Sequence, residues 1–381
     1  MGGDLLTLFL CGDVMLGRGI DQILPHPGDP VLRECYATDA RDYVELAEAA
    51  HGPIPRPVGF SWPWGEALGV LDDAGPAARV LNLETGVTGD GTFDGTKDIH
   101  YRMHPANLPC LTAARPDVCV LANNHVLDFG RQGLADTLDA LAGAGLRTAG
   151  AGADADAAAR PATVPLEDGR RLLVFSCAMP SSGVPPSWAA TRERSGVDFV
   201  AGPSTDAASA LVDRVRERRR PGDIAVVSVH WGANWGYYVS RAEAAFAHAL
   251  LDGGVDVVHG HSSHHPRVLE AYRGKLVIHG CGDFIDDYEG ITGYEQYRDD
   301  LRLLFLVVLD PDTGALHEVR ITPLQARRMR LWPASHEDSR WLCALLDKIS
   351  SGFRPCAPAA PEGTLTLRPA RAAQGRCQTS V

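Results

Sequence analysis

The chain has 381 residues, with 36 basic and 48 acidic side chains, and its formal net charge is −12. Hydrophobic residues make up 45% and charged residues 22%, a balance typical of a soluble globular protein with an ample core. The acidic balance argues against binding of nucleic acid or of an anionic membrane surface. It leaves an anionic substrate open, because a bound metal reverses the local field.

No membrane span is expected, because the sequence has no run of about eighteen apolar residues. The short apolar run at 5–10 follows no basic segment and ends in Cys11-Gly12-Asp13, so no signal peptide is expected either. Nine cysteines occur without a Cys-x-x-Cys pair, which favours a reduced protein over a disulfide framework. These features together predict a cytoplasmic location.

Short apolar runs alternate with amphipathic segments along most of the chain. The apolar runs predict strands at 5–10, 79–83, 118–122, 172–175, 224–229, 255–259, 275–279 and 301–309. The amphipathic segments predict helices at 130–142, 206–219 and 241–251. This alternation is typical of an α/β protein with helices outside the sheet. Several late strands follow each other without a helix between them, which indicates mixed sheets.

One main domain is predicted over residues 1–330, with three departures from its pattern. Residues 21–78 are rich in Pro, Gly and aromatic side chains, which indicates an insertion or lid between the first two strands. Residues 331–351 are expected to form a C-terminal helical segment. The stretch 352–381, rich in Ala, Pro and Arg, is expected to be a flexible tail.

Polar side chains of the kind that bind metals follow five of the predicted strands. They are Asp13, Glu84, Asn123-Asn124-His125 with Asp128, His230, and the histidine-rich run His259–His265. Sites in open α/β sheets form at the carboxyl ends of strands, so we expect these side chains to meet at one edge. Imidazole, carboxylate and amide groups together suit Mn, Fe or Zn.

Two ions at such a site, about 3.5–4 Å apart, would share a bridging carboxylate and hold a hydroxide between them. A neighbouring histidine would donate a proton to a leaving oxygen, and the Asp128 carboxylate could orient that histidine. Each residue also has a structural alternative when it is taken alone. Asp13 could cap a helix, Asn123-Asn124 could form a turn, and His230 could be a satisfied core histidine.

Five motifs in this order resemble the CapA family (poly-γ-glutamate capsule synthesis proteins), a branch of the calcineurin-like metallophosphoesterase superfamily. The motifs are Gly12-Asp13-Val14-Met15-Leu16-Gly17-Arg18, Asn82-Leu83-Glu84, Ala122 to Gly130 around Asn123-Asn124-His125, Val229-His230-Trp231-Gly232 and Gly260-His261-Ser262-Ser263-His264. The resemblance runs from about Leu5 to Leu309. It implies an α/β fold of the four-layer α/β/β/α sandwich type.

The resemblance also implies a role for each matching residue. Asp13 and His264 would ligate a first metal, and Glu84 would bridge to a second, completed by Asn124, His230 and His261. His125 would be the proton donor or phosphate contact, held by Asp128. We expect Arg102 and Asn123 to contact substrate. The remaining predicted positions, which would support the ligands from behind, are His259, His265 and Asp283.

The chain departs from the family pattern at three places. The superfamily has a histidine two residues after the first aspartate, where this chain has Met15. The family often has Glu-Tyr after His-Trp-Gly, where this chain has Ala233-Asn234-Trp235. It often has Gly-Asn-Phe, where Gly282-Asp283-Phe284 stands here. The first metal is therefore expected to be weakly held or absent.

The leading hypothesis is a metal-dependent phosphoesterase that acts on an anionic small molecule or polymer through a metal-bound hydroxide, with His125 as proton donor. The alternative is an accessory or amide-bond-forming factor of poly-γ-glutamate or capsule-like synthesis, without phosphatase activity. A third possibility is a degenerate member of the family that has only a structural function. The substrate, the metal, the number of ions (one or two) and the oligomeric state stay open at this stage.

Overall fold

The computed structural model describes residues 5–358 and 363–370. The strands are β1 (Leu6–Val14), β2 (Ala78–Leu83), β3 (Gly86–Val87), β4 (Arg102–Met103), β5 (Val118–Val120), β6 (Arg147–Ala149), β7 (Ala151–Gly152), β8 (Ala162–Pro165), β9 (Arg171–Ala178), β10 (Gly196–Val197), β11 (Ile224–His230), β12 (Val257–His261), β13 (Leu269–Tyr272), β14 (Lys275–Ile278), β15 (Asp283–Ile285), β16 (Leu301–Leu309), β17 (Leu316–Ala326), β18 (Leu331–Pro333), β19 (Ala357–Pro358) and β20 (Leu365–Leu367).

The α-helices are α1 (Arg18–Ile23), α2 (Arg41–His51), α3 (Ala67–Ala74), α4 (Leu108–Thr112), α5 (Gly130–Gly143), α6 (Ala155–Ala159), α7 (Thr205–Arg218), α8 (Arg241–Asp252) and α9 (His336–Ile349). Within the described residues, no helix is both long enough and apolar enough to cross a bilayer. Each strand and helix expected from the apolar and amphipathic patterns is present, with ends shifted by a few residues.

Most strands belong to two mixed sheets. The first has the order β19-β20-β17-β16-β1-β2-β5-β6, with β15 also pairing with β1 and β18 with β17. The second has the order β13-β14-β12-β11-β9-β8. Strands β1, β2 and β5 run parallel in the first sheet, and β9, β11, β12 and β14 run parallel in the second. Parallel strands place their carboxyl ends together, which is the arrangement that the five motifs require.

Alternating side chains on the strands build three hydrophobic layers. In β1, Leu8 and Leu10 lie between the two sheets, where they share a core with Val226 of β11. Phe9, on the other face of β1, packs under α1 to α5. On the outer face of the second sheet, Phe175 joins a core with α7 and α8. The order helix, sheet, sheet, helix confirms the expected four-layer sandwich.

The segment at 21–78 packs against the first sheet as part of the helical layer. Tyr43 and Val44 of α2 and the indole of Trp64 are almost completely buried in the core beside β1. The Trp64 Nε1 donates to the Cys110 carbonyl at 2.7 Å, which satisfies its one donor inside the core. Residues 21–78 are therefore part of the packed helical layer in this structure.

The C-terminal stretch corrects two expectations. Part of the predicted flexible tail is ordered, because β20 pairs antiparallel with β17 and extends the first sheet. Leu365 and Leu367 are buried there, so their hydrophobic burial offsets the cost of ordering the chain. Cys343 of α9 and Cys356 form a disulfide, against the expectation of fully reduced cysteines. The rest of the predicted tail, 359–362 and 371–381, lies outside the described residues.

Candidate metal centre

Strand β1 brings Asp13 to the point where the two sheets meet. Strand β15 runs parallel to β1 and pairs Asp13 with Asp283 across the sheet. The two backbones approach so closely that a Cβ on Gly12 would lie 1.8 Å from the Gly282 carbonyl oxygen. A glycine is needed at this contact, and the close approach places both carboxylates in the same buried space.

Asn82, at the end of β2, connects two of these carboxylates. Its amide nitrogen donates to Asp13 Oδ1 and to Glu84 Oε2, both at 2.8 Å. Its amide oxygen accepts from Asn123 Nδ2 at 2.9 Å. Asn82 is completely buried and lies two positions before Glu84, so the strand alternation puts both side chains on one face. Asn82 thus holds Asp13 and Glu84 in fixed positions.

Strands β11 and β12 deliver two buried histidines opposite these carboxylates. His230 and His261 are register partners in the parallel pair, and their Nδ1 atoms lie 2.7 Å apart. Ligand atoms of His230, His261 and Asp13 all lie within 4.8 Å of one another. His230 Nε2 is also 3.8 Å from Glu84 Oε1 and 3.0 Å from Asn124 Oδ1. These five residues form the group that we call the histidine side of the centre.

His264 and Asp283 form the other half of the centre, which we call the carboxylate side, and Asp13 is shared by the two sides. The His264 Nδ1–H donates to Asp283, with both carboxylate oxygens at 3.0 Å. Ser262 lies between the histidines with φ of 100°, which is unusual for a residue with a Cβ. Its backbone N–H donates to Asp13 Oδ2 at 3.2 Å, so this strained turn fixes Asp13 from the second sheet.

Three buried carboxylates, those of Asp13, Glu84 and Asp283, face this space. Burial raises the pKa of Asp13 to about 7, and the neighbouring Asp283 contributes to that rise. Burial likewise raises the pKa of Glu84 well above its ordinary value, with the charges of Asp13 and Asp283 adding to the effect. A divalent cation would neutralise this concentration of negative charge, so the residues present fit a metal.

The pKa values of the histidines on the two sides are shifted in opposite directions. Burial holds the pKa values of His230 and His261 well below the ordinary range, so both rings are neutral at pH 7. Burial also lowers the pKa of His264, but the charge of Asp283 outweighs it and raises that pKa above its ordinary value. Neutral imidazole is the form that binds a metal, which favours the histidine side.

A second group beside Glu84 has the composition of a proton-transfer device. His125 Nδ1 lies 2.6 Å from Asp128 Oδ2, while its Nε2 lies 3.9 Å from Glu84 Oε1. Burial lowers the pKa of His125 to about 4 despite the nearby Asp128 carboxylate. Lys97 Nζ donates to the other oxygen of Asp128 and to the Asn124 carbonyl. Asp128 therefore orients the ring and leaves Nε2 directed at the centre.

Two predicted substrate contacts have different surroundings in the structure. Asn123 is completely buried. Its Nδ2 donates to Asn82 Oδ1 and to the Leu83 carbonyl, and its Oδ1 accepts from the backbone N–H groups of His125 and Val126. With these partners Asn123 fixes the loop that carries His125. Arg102 pairs with Asp29 at 3.7 Å and lies over the Phe129 ring, so it is not brought into the centre.

Two further predicted positions are the buried histidines His259 and His265. His259 Nε2 lies 2.9 Å from the Cys11 carbonyl, and its Nδ1 lies 3.1 Å from Ser228 Oγ, which also contacts His261. His265 accepts from the Gly236 N–H at 2.9 Å and stacks on the Tyr297 ring. Neither ring belongs to the metal cluster itself.

Comparison with known proteins shows which family this fold and centre represent. The family described as "Bacterial capsule synthesis protein PGA_cap" matches residues 7–288. This chain belongs to that family. A probable polyglutamine synthesis accessory protein of Mycobacterium tuberculosis (strain CDC 1551 / Oshkosh) is 54% identical over 368 residues, covering 96% of this chain and 97% of the relative.

A more distant relative of this chain is the PGA biosynthesis protein CapA of Bacillus subtilis (strain 168). It is 25% identical over 309 residues, covering 78% of this chain and 66% of the relative. Among solved structures, a 5′-nucleotidase precursor from Thermus thermophilus is 15% identical, covers 91% of this chain and 59% of that one, and has a TM-score of 0.42.

The centre of this capsule synthesis family member includes residues that the sequence analysis did not place there. Lys97 Nζ donates to Asp128, whereas Arg102 was the basic residue expected to contact substrate. Asn82 lies within a family motif, and its spacing of two from Glu84 was a usable signal. Buried Arg18 of the first motif binds Asp287 at 2.8 Å and lies over the Tyr101 ring, whose edge packs on His125.

Proposed function

We propose that this member of the capsule synthesis family is a metal-dependent hydrolase of a phosphate ester that acts as an accessory enzyme in the synthesis of a glutamate polymer. The observation that supports the chemistry most is the grouping of Asp13, His230 and His261 within 4.8 Å, with Glu84 beside them. Carboxylate and imidazole ligands in one buried space are typical of metal-dependent hydrolases.

The metal would be held chiefly by the histidine side, with Asp13 and Glu84 as its anionic ligands. A divalent cation bound there supplies Lewis-acid polarisation of a phosphoryl oxygen and acidifies a water molecule. Burial and the neighbouring carboxylates raise the pKa values of Asp13 and Glu84, and a bound cation would offset both effects.

The chain's own residues would handle the proton of the leaving group. When water attacks phosphorus, the ester P–O bond breaks and the departing oxygen needs a proton. His125 Nε2 faces the centre, while Asp128 accepts from Nδ1 and fixes the ring. An incoming phosphate would raise the low pKa of His125, so the ring would acquire a proton and donate it to the leaving oxygen.

The biological setting follows from the names of the relatives. One is named as a probable accessory protein of polyglutamine synthesis and another as a PGA biosynthesis protein. An accessory hydrolase fits both the family and the ligand set. This proposal leaves the polymerisation step to another protein.

The chemistry is tested by assaying purified protein with Mn²⁺ on p-nitrophenyl phosphate and on its diester. We expect metal-dependent turnover that Glu84→Gln reduces by at least about 100-fold, since even residues that only support ligands cost about 10–100-fold. Glu217→Gln, an exposed glutamate on α7, is the matched control and should behave like wild type. Absence of turnover with any divalent metal would contradict the proposal.

A second candidate is a non-hydrolytic accessory factor that uses the centre for binding only. Met15 favours it, because a ligand expected from the superfamily pattern is replaced by a thioether. The two candidates separate in one comparison of metal binding with turnover. Tight Mn²⁺ binding without hydrolysis of any phosphate ester would select the binding role.

A further inference from the structure

A buried arginine lies behind the metal centre, at the first position of α1. Arg18 is 3% exposed, and its φ of 51° lies in the left-handed region, which is uncommon for a residue with a Cβ. Its Nε and Nη2 donate to the two oxygens of Asp287 at 2.8 and 2.5 Å, and its Nη1 donates to Glu34 at 2.9 Å. Because both carboxylates are buried and one pairing is bidentate, the guanidinium is held in a single orientation.

The two carboxylates that hold this guanidinium come from distant parts of the chain. Asp287 lies two residues beyond the end of β15, the strand that pairs with β1 at the centre. Glu34 belongs to the segment at 21–78, and the Tyr43 hydroxyl of α2 donates to it. The segment at 21–78 therefore supplies one wall of a buried ionic network, and the chain that follows β15 supplies the other.

Three tyrosine rings surround the Arg18 guanidinium. Its central carbon lies 3.5 Å from the centroid of the Tyr43 ring, 4.6 Å from that of Tyr101 and 5.6 Å from that of Tyr288. A guanidinium is attracted to the faces of aromatic rings, so these contacts stabilise the positions of the rings. The hydroxyl groups of Tyr101 and Tyr288 form a hydrogen bond of 2.8 Å. We call these two residues the tyrosine pair.

The tyrosine pair contacts one histidine on each side of the centre. The Tyr101 and His125 rings pack edge to face with centroids 4.6 Å apart, and the Tyr288 and His264 rings do so at 5.2 Å. The Tyr101 backbone N–H also donates to Asp128 Oδ2 at 2.8 Å, the same oxygen that holds His125 Nδ1. Because interiors are close-packed, a displacement of the tyrosine pair would displace both histidine rings.

We propose that Arg18 is a positioning residue that sets the orientation of His125 and His264. It acts through the tyrosine pair, and it touches neither the reacting groups nor the metal ligands of the histidine side. The inference rests on the proposed function for the role of His125 as proton donor. Lysine cannot replace Arg18 in this role, because an ammonium group lacks the planar fork that binds a carboxylate at two points and stacks on rings.

The kinetic test uses Arg18→Lys, which keeps the charge and loses the fork. We expect kcat on p-nitrophenyl phosphate with Mn²⁺ to fall by about 10–100-fold, the range for residues that orient ligands. KM should change by less than about twofold, since substrate binding is not the step affected. The matched control is Arg79→Lys, a buried arginine at the opposite end of β2 from Glu84, which donates to the Ala114 and Leu71 carbonyls. It should lose stability and keep kcat.

A second readout needs neither turnover nor metal. Ring-nitrogen NMR signals of ¹⁵N-histidine report the surroundings of each imidazole in the metal-free protein. Arg18→Lys is expected to shift the signals of His125 and His264 and to leave those of His248, on α8, in place. Tyr288→Phe removes one hydroxyl from the tyrosine pair and keeps the ring, so we expect smaller shifts at the same two histidines. This variant serves if Arg18→Lys does not fold.

Two results would overturn the inference. The first is a fall in kcat for Arg18→Lys that is no larger than the fall for Arg79→Lys, because Arg18 would then only stabilise the fold. The second is a set of His125 signals that is unchanged in both Arg18→Lys and Tyr288→Phe. A wild-type protein without turnover would contradict the proposed function, and the NMR signals would still decide whether Arg18 positions the two histidines.

Discussion

The two sides of the metal centre are built from similar residues but differ in readiness to bind a cation. On the histidine side, His230 and His261 are neutral, because burial holds their pKa values well below the ordinary range. On the carboxylate side, the charge of Asp283 raises the pKa of His264 against the effect of burial. Protonation therefore competes with cation binding more strongly at His264 than at His230 or His261.

Met15 increases this difference. It occupies the position where the superfamily resemblance implies a histidine, and its sulfur contacts the Tyr288 hydroxyl at 3.7 Å. A thioether is a soft ligand that binds Mn²⁺ poorly. We therefore expect the same strand-end pattern to provide one strong and one weak cation site.

Removing a ligand from each side should have unequal consequences. His261→Ala is expected to weaken Mn²⁺ binding by more than about 100-fold and to abolish measurable turnover, because it removes a neutral imidazole ligand. His264→Ala should leave the tightly bound cation in place. Isothermal titration calorimetry with Mn²⁺ compares the two variants directly. Equal losses of affinity would show that the two sides do not differ.

The proton-transfer group should affect turnover without affecting the metal. His125→Gln is expected to lower kcat by about 100-fold, the lower range for general acid catalysis. Lys97→Met should lower it by about tenfold, because Asp128 would lose its cationic partner. The matched controls are the exposed His317→Gln and Lys348→Met. A fall in Mn²⁺ affinity equal to the fall in kcat would place these residues among the ligands instead.

Met15→His should strengthen the weak side. The new imidazole would face the space beside Asp13, and we expect the number of bound Mn²⁺ ions per chain to rise from one toward two. The matched variant Met15→Leu keeps the volume without adding a ligand and should bind like wild type. A Met15→His protein that still binds a single ion would mean that the His264–Asp283 pair alone blocks the second site.

The smallest effect concerns pH. In metal-free protein the pKa of Asp13 is raised to about 7, so the stability associated with that group is present at low pH and is lost as pH rises through about 7. Mn²⁺ would compensate the ionised carboxylates. The increase in Tm on adding Mn²⁺ should therefore be larger at pH 8 than at pH 6, by about 2 °C or more. A shift that shrinks with rising pH would contradict the assignment.

The sequence was sufficient to group the polar side chains that lie at the carboxyl ends of strands. Asp13, Glu84, His230 and His261 could be placed together because parallel strands end at a common edge. The choice between Lys97 and Arg102 could not be made, since Lys97 lies in a loop without periodicity and Arg102 begins the two-residue strand β4 that follows it. Which one reaches Asp128 depends on the path of that loop between distant elements.

The C-terminal stretch shows a similar limit. Its Ala, Pro and Arg content suggested a tail, yet Leu365–Leu367 form a strand on β17. The alternation Leu-Thr-Leu was a weak local signal, and the pairing partner lies far earlier in the chain. The disulfide between Cys343 and Cys356 likewise depends on how α9 and the following segment pack together. Such non-local contacts are not encoded by composition.

The central claim is that residues from β1, β2, β11 and β12 share a tightly bound divalent cation. Elemental mass spectrometry of protein purified without chelator, before and after incubation with Mn²⁺ and gel filtration, tests it directly. We predict about one retained ion per chain in wild type and none in His261→Ala. A wild-type protein that remains metal-free after this treatment would contradict the account.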